Sequence, residues 1–176
     1  MTWKSFHRRG EVLRTVIAAA DTRRDGMLPL DVDGVAETFD DALTLLGALQ
    51  LRWHTRLAGR IERELMHQPM DLEQAVVTAW QLTAEELPGV RSIVDRYRSE
   101  PLDAAMAEAM TKAAVKERVL LAVMAGRAGA NDEMAAARVG AEIEATARAK
   151  YRPFRQFTQP APAPGLFDKI KAALAA

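Results

Sequence analysis

Residues 33–67 read DGVAETFDDALTLLGALQLRWHTRLAGRIERELMH, and this stretch decides the fold class. Phe39, Leu43, Leu46, Trp53, Leu57 and Ile61 recur at separations of three, four or seven. That is the period of one helix face, not of a strand. Leu45, Leu49 and Leu65 widen the apolar side beyond a narrow seam. A helix apolar over so wide an arc belongs inside a bundle rather than on its surface. Asp33 supplies an N-cap side chain, so the spacing predicts one helix from there to His67. Its length is roughly 50 Å at about 1.5 Å per residue. Gly47 and Gly59 inside it are expected to mark a bend or a close crossing.

The flanking segments repeat the helical period. Residues 4–20 carry Phe6, Val12 or Leu13, and Val16 or Ile17. Pro69 stops the long helix, and Asp71 with Gln74 forms a start signal for the next. Met70 and Ala75 occupy the positions of a hydrophobic staple. Leu72, Val76, Trp80 and Leu87 outline that helix's apolar side. Thr83 with Glu86 is read as a further cap, with Pro88 in the first turn that follows. Pro101 suits the first position of a helix over 101–125, striped by Met106, Met110, Ala113, Leu120 and Met124. Asn131 or Asp132 caps a last helix over about 132–151, carrying Met134, Ala137, Ala141, Ile143 and Ala147. Its small side chains bury little area each, so it needs a tight neighbour. The fold expected is all-α: a bundle of about five helices around one long central helix.

After Tyr151 the character changes. RPFRQFTQPAPAP, residues 152–164, has four prolines and no helical period. It reads as an extended, semi-rigid spacer. Beyond it Leu166, Phe167, Ile170 and Leu174 line one side of a short amphipathic segment, with Lys169 and Lys171 off that side. The organisation expected is a bundle over 1–152, a Pro/Ala-rich linker over 153–165 and a docking helix over 166–176. An isolated helix of about ten residues is marginal in water, so its apolar side needs a surface to cover it. The layout of residues 158–176 resembles that of enclosed-cargo proteins, whose tails carry a short apolar docking peptide for a shell. No family is identified for residues 1–157.

Composition narrows the chemistry. Hydrophobic residues make up 49% of the 176 and charged residues 27%, enough to form a packed core. With no cysteine, disulfides, thiolate zinc sites and cysteine nucleophiles are excluded. Glu11 and Arg14 interrupt what an export signal would keep apolar, so cytoplasmic residence is the expectation. Lys/Arg and Asp/Glu balance at 24 each but are unevenly placed. Residues 25–47 hold six Asp/Glu and no Lys/Arg, while 148–176 hold six Lys/Arg and one Asp.

Four constellations in the sequence bear on chemistry. Asp21, Asp25 and Gly26 fall at calcium-loop positions, but Arg23 and Val32 stand where oxygen ligands belong. Glu64 and His67 have the Glu-x-x-His spacing of di-iron bundles, and no second such pair exists. No cofactor or metal is therefore expected. Ser5, Ser92 and Ser99 sit in no nucleophile-elbow sequence. Arg52, Arg56, Arg60 and Arg63 form a basic ridge, and Arg148, Lys150, Arg152 and Arg155 a second patch with Tyr151, Phe154 and Phe157 interleaved. Such patches can track a phosphate backbone, against which stands a sequence pI near 6.9.

The function expected is a non-enzymatic adaptor or assembly protein. It would dock to a partner protein through Leu166, Phe167, Ile170 and Leu174, with Lys169 and Lys171 at the rim, and self-association would use the bundle. The alternatives are a metal- or ligand-handling bundle enzyme and an RNA- or DNA-contacting factor. A membrane surface is disfavoured by the short segment and its two lysines.

Overall fold

The computed structural model describes residues 3–129 and 131–151. They form seven helices and no strand, which confirms the all-α class and replaces the expected count of about five. The helices are α1 (Trp3–Arg23), α2 (Val35–Thr38), α3 (Ala42–His67), α4 (Leu72–Glu86), α5 (Pro88–Ser99), α6 (Ala104–Met124) and α7 (Glu133–Lys150). The expected linker and C-terminal helix, residues 152–176, lie outside the described residues.

The stretch 33–67 is not one helix. Gly34 adopts a left-handed φ of 84°, α2 lasts a single turn, and Phe39 is extended. Asp41, not Asp33, caps α3: its Oδ1 accepts from the Thr44 N–H at 2.6 Å. A carboxylate that bonds the backbone three residues on ends one helix and starts another. Phe39 turns inward in the break, 3% exposed, with the Arg9 guanidinium 4.5 Å over its ring. The 26 residues of α3 span about 39 Å rather than 50.

Inside α3 the apolar reading holds. Leu45, Leu46, Leu49, Trp53, Leu57 and Ile61 are fully buried, and α3 packs on α1, α4, α5 and α6. Trp53 and Trp80 meet edge to face, 5.8 Å between centroids, at the centre of one continuous core. Asp71 caps α4 through the Gln74 N–H, as expected, but the Gln74 side chain donates to Thr78 instead of reaching back. Met70 is 96% exposed, so no staple forms. Thr83 starts nothing: it is buried within α4 and donates to the Ala79 carbonyl. Pro88 does open α5. The cap of α6 is Asp103, two residues past Pro101.

The last helix finds its tight neighbour. The buried side of α7 is Ala136, Gly140, Ile143, Glu144 and Ala147, and it lies along α6. A Cβ on Gly140 would overlap the Arg118 carbonyl of α6, and a Cβ on Gly89 would overlap that of Ala20. Those two glycines let backbones touch. Met134, expected on the packed side, is exposed.

Candidate functional site

Two places hold unusual chemistry: a buried ionic cluster where α5, α6 and α7 meet, and an open face on the far side of α3.

Glu117 has no exposed surface at all. It lies in the apolar stripe of α6, between Ala114 and Leu121. Its Oε1 accepts from Trp80 Nε1 at 3.3 Å and Arg91 Nη1 at 3.2 Å, and its Oε2 from Arg98 Nη2 at 3.2 Å. Glu144 accepts from Arg98, Arg118 and Arg148 at 2.8–3.0 Å. Asp95 accepts from Arg91 at 2.6 Å and from both terminal nitrogens of Arg148 at 2.7 and 2.9 Å. Arg91 also stacks 4.6 Å over Trp53, and Arg148 5.0 Å over Trp80. Four guanidiniums thus enclose three carboxylates.

Burial pushes the Glu144 carboxyl up, but the guanidiniums of Arg148, Arg98 and Arg118 outweigh it and hold the group at about 2. Asp95 behaves likewise: burial raises it, and Arg148 with Arg91 brings it below the usual carboxylate value. Carboxylates so held do not exchange protons near neutrality, which is what general acid–base work requires. The cluster is a fastener, in which each carboxylate is matched.

The open face lies between α1 and α6, whose backbones stay apart among the described residues. Leu51 of α3 stands up between them, 66% exposed. On one side is a groove of about 460 Å³ lined by Arg9, Gly10, Leu13, Gly47, Ala48 and Arg52 among others. On the other is a groove of about 480 Å³ that shares Gly47 and Leu51 and adds Gln50, His54, Ala109, Lys112, Ala113 and Lys116. A third, of about 380 Å³, continues past His54 and Lys116 to Val119, Leu120, Val123 and Glu133. The floor is mostly aliphatic and the rim mostly cationic.

The residues singled out in the sequence are dispersed. Arg56 and Arg60 both pair with Glu86 of α4, at 2.6 and 2.8 Å. Arg148 belongs to the buried cluster, and Lys150 donates to Gln74. Arg52 and Arg63 are exposed on α3, and Arg52 lines the first groove. Glu64 and His67 occupy the last turn of α3. No group of three His, Asp or Glu able to hold a metal occurs among the described residues. The Asp21–Val32 loop is structural: Asp21 accepts from the Gly89 N–H at 2.8 Å, and Arg23 grips Asp31 through two bonds. Arg152, Arg155, Leu166, Phe167, Lys169, Ile170, Lys171 and Leu174 lie outside the described residues.

Sequence reading missed both places. A glutamate at helical spacing within the Met106–Met110–Ala114–Leu121 face was the signal for the cluster. For the groove, the signals were Leu51, off the buried stripe of α3, and Gly47 at mid-helix. No helix among the described residues is long and apolar enough to cross a membrane. No family model, no curated protein and no solved structure matches the chain.

Proposed function

We propose that the protein is a non-enzymatic docking or assembly module with two contact elements: the face over α3 and the C-terminal segment. The observation that carries this reading is the outer side of α3, where Leu51 is exposed and half-buried Leu13, Ala48, Ala109 and Ala113 line the adjoining grooves. Open, mostly apolar grooves with a few polar groups at the rim are where proteins take ligands and partner side chains. The C-terminal element rests on sequence: Leu166, Phe167, Ile170 and Leu174 fall on one side of a segment that follows a proline-rich spacer, with Lys169 and Lys171 flanking. Such a spacer projects a helix toward a separate molecule at little entropic cost. A rigid bundle suits the role, because a preorganised surface loses less on binding.

The experiment is recovery of bound proteins from native extract on the intact chain, on Leu51→Asp and on Phe167→Asp/Leu174→Asp. Each substitution is expected to remove a protein that the intact chain retains, with the melting transition unchanged. Identical recovery on all three chains rejects the docking reading.

A further inference from the structure

Resting on that docking reading, we infer that the face over α3 receives an amphipathic helix whose flanks are acidic. The shape is that of a helix seat. The face has α1 on one side and α6 on the other, and its floor is made of Gly10, Gly47, Ala48, Ala109 and Ala113. Small residues of this kind let a helix axis come within the 8–10 Å typical of packed helices.

Gly47 keeps the middle of the groove open: an added Cβ would meet nothing within 4 Å, whereas at Gly89 and Gly140 another backbone already occupies the space. That leaves room above α3 for a close-lying partner.

Charge selects the occupant. Arg9 and Arg52 stand on one side of Leu51, Lys112 and Lys116 on the other, with Glu133 at the far end as the one carboxylate in the three grooves. Among the described residues Arg52 and Lys116 form no ion pair. Lys112 already pairs with Glu108, and Arg9 donates to the Thr38 carbonyl and stacks on Phe39, so Arg52 and Lys116, one on each side of Leu51, are the cations left for glutamates or aspartates on the two flanks of a seated helix. The protein's own C-terminal segment carries Lys169 and Lys171, which would repel a cationic rim, and is disfavoured as the occupant. Nucleic acid is disfavoured too, since His54 is the single aromatic ring in the three grooves and no Phe, Tyr or Trp stands beside it to form a stacking platform.

The test titrates the full chain into labelled peptides of about 15 residues, long enough to lay about four helical turns on the groove. One peptide has leucines at helical spacing and glutamates on its flanks, and its twin has lysines in their place. A peptide of residues 165–176 and a short oligothymidylate complete the set. The acidic peptide is expected to bind, with affinity falling severalfold between roughly 0.05 and 0.3 M salt. Gly47→Leu, which fills the seat, is expected to weaken it by about tenfold or more, and Arg52→Glu/Lys116→Glu to weaken it and favour the lysine twin. Gly59→Leu is the control, because Gly59 also faces open space and lines none of the three grooves. Equal binding of the twins, tighter binding by the 165–176 peptide or the oligonucleotide, or self-association abolished by Gly47→Leu overturns the acidic-helix assignment. The first of these, if sensitive to Gly47→Leu, leaves docking itself standing. No peptide binding, together with partner recovery unaffected by Leu51→Asp, removes both.

Discussion

Where α5, α6 and α7 meet, Glu117, Glu144 and Asp95 are each held by at least two guanidiniums, and Gly140 lets two backbones touch. On the outer side of α3, Arg52 and Lys116 pair with no carboxylate among the described residues, Gly47 has empty space above it, and Leu51 stands in solvent. Both sides belong to one small bundle with one continuous core. In the first every carboxylate is matched within the chain, and a buried ion pair tolerates no loss of a member. The second is left incomplete in charge, in space and in apolar cover. A difference of that kind separates surface that holds the protein together from surface that holds something else.

The comparison is broken most severely at Glu117. Glu117→Ala strands the guanidiniums of Arg91 and Arg98 inside the core, and is expected to cost about 3–5 kcal/mol in denaturant unfolding. A loss near zero would mean that the cluster relaxes into water and fastens nothing. Next is Gly140→Ala, whose Cβ must push α7 off the Arg118 carbonyl. The expected loss is about 1–3 kcal/mol, and an unchanged unfolding midpoint would show that the two backbones are not in contact.

Acid probes the same side more gently. Glu144 lies at about 2 when folded and at its ordinary value of 4.5 when unfolded. Its folded pKa is depressed, so its contribution is complete above 4.5 and is lost as pH falls from there towards 2. Unfolding midpoints measured across that window should fall with pH in the native chain and fall less steeply in Glu144→Gln. Parallel slopes would place the acid sensitivity elsewhere. The smallest effect has the opposite sign. Gly47→Ala should raise stability by about 1 kcal/mol, as replacing an unobstructed mid-helix glycine does. A loss instead would give Gly47 an internal structural duty and remove one argument for the seat.

Much of the fold was readable because helix period and caps are local. Asp71 and Pro88 were identified where they act, and Asp132 as one of two candidate caps. The break at Phe39–Asp41 was not, because the apolar period runs through it; only the Asp41–Thr44 bond and the inward turn of Phe39 end the helix there. The ionic cluster escaped for a related reason. Arg91, Arg98, Glu117 and Glu144 look like ordinary wet-face residues one at a time, and their burial follows from how α5, α6 and α7 cross. Arg56 and Arg60 illustrate the converse: on α3 alone they form a basic ridge, until α4 places Glu86 between them. The groove required knowing that α1 and α6 stay apart.

The most direct test of that open face is an amide chemical-shift map of the full chain during titration with the acidic amphipathic peptide. The expected result is a contiguous set of shifts at Gly10, Leu13, Gly47, Leu51, Ala113 and Lys116, with Gly89 and Gly140 silent. Shifts scattered over the surface, or centred on α4 and α7 with Gly47 and Leu51 unmoved, would contradict the claim that the outer side of α3 is a docking surface.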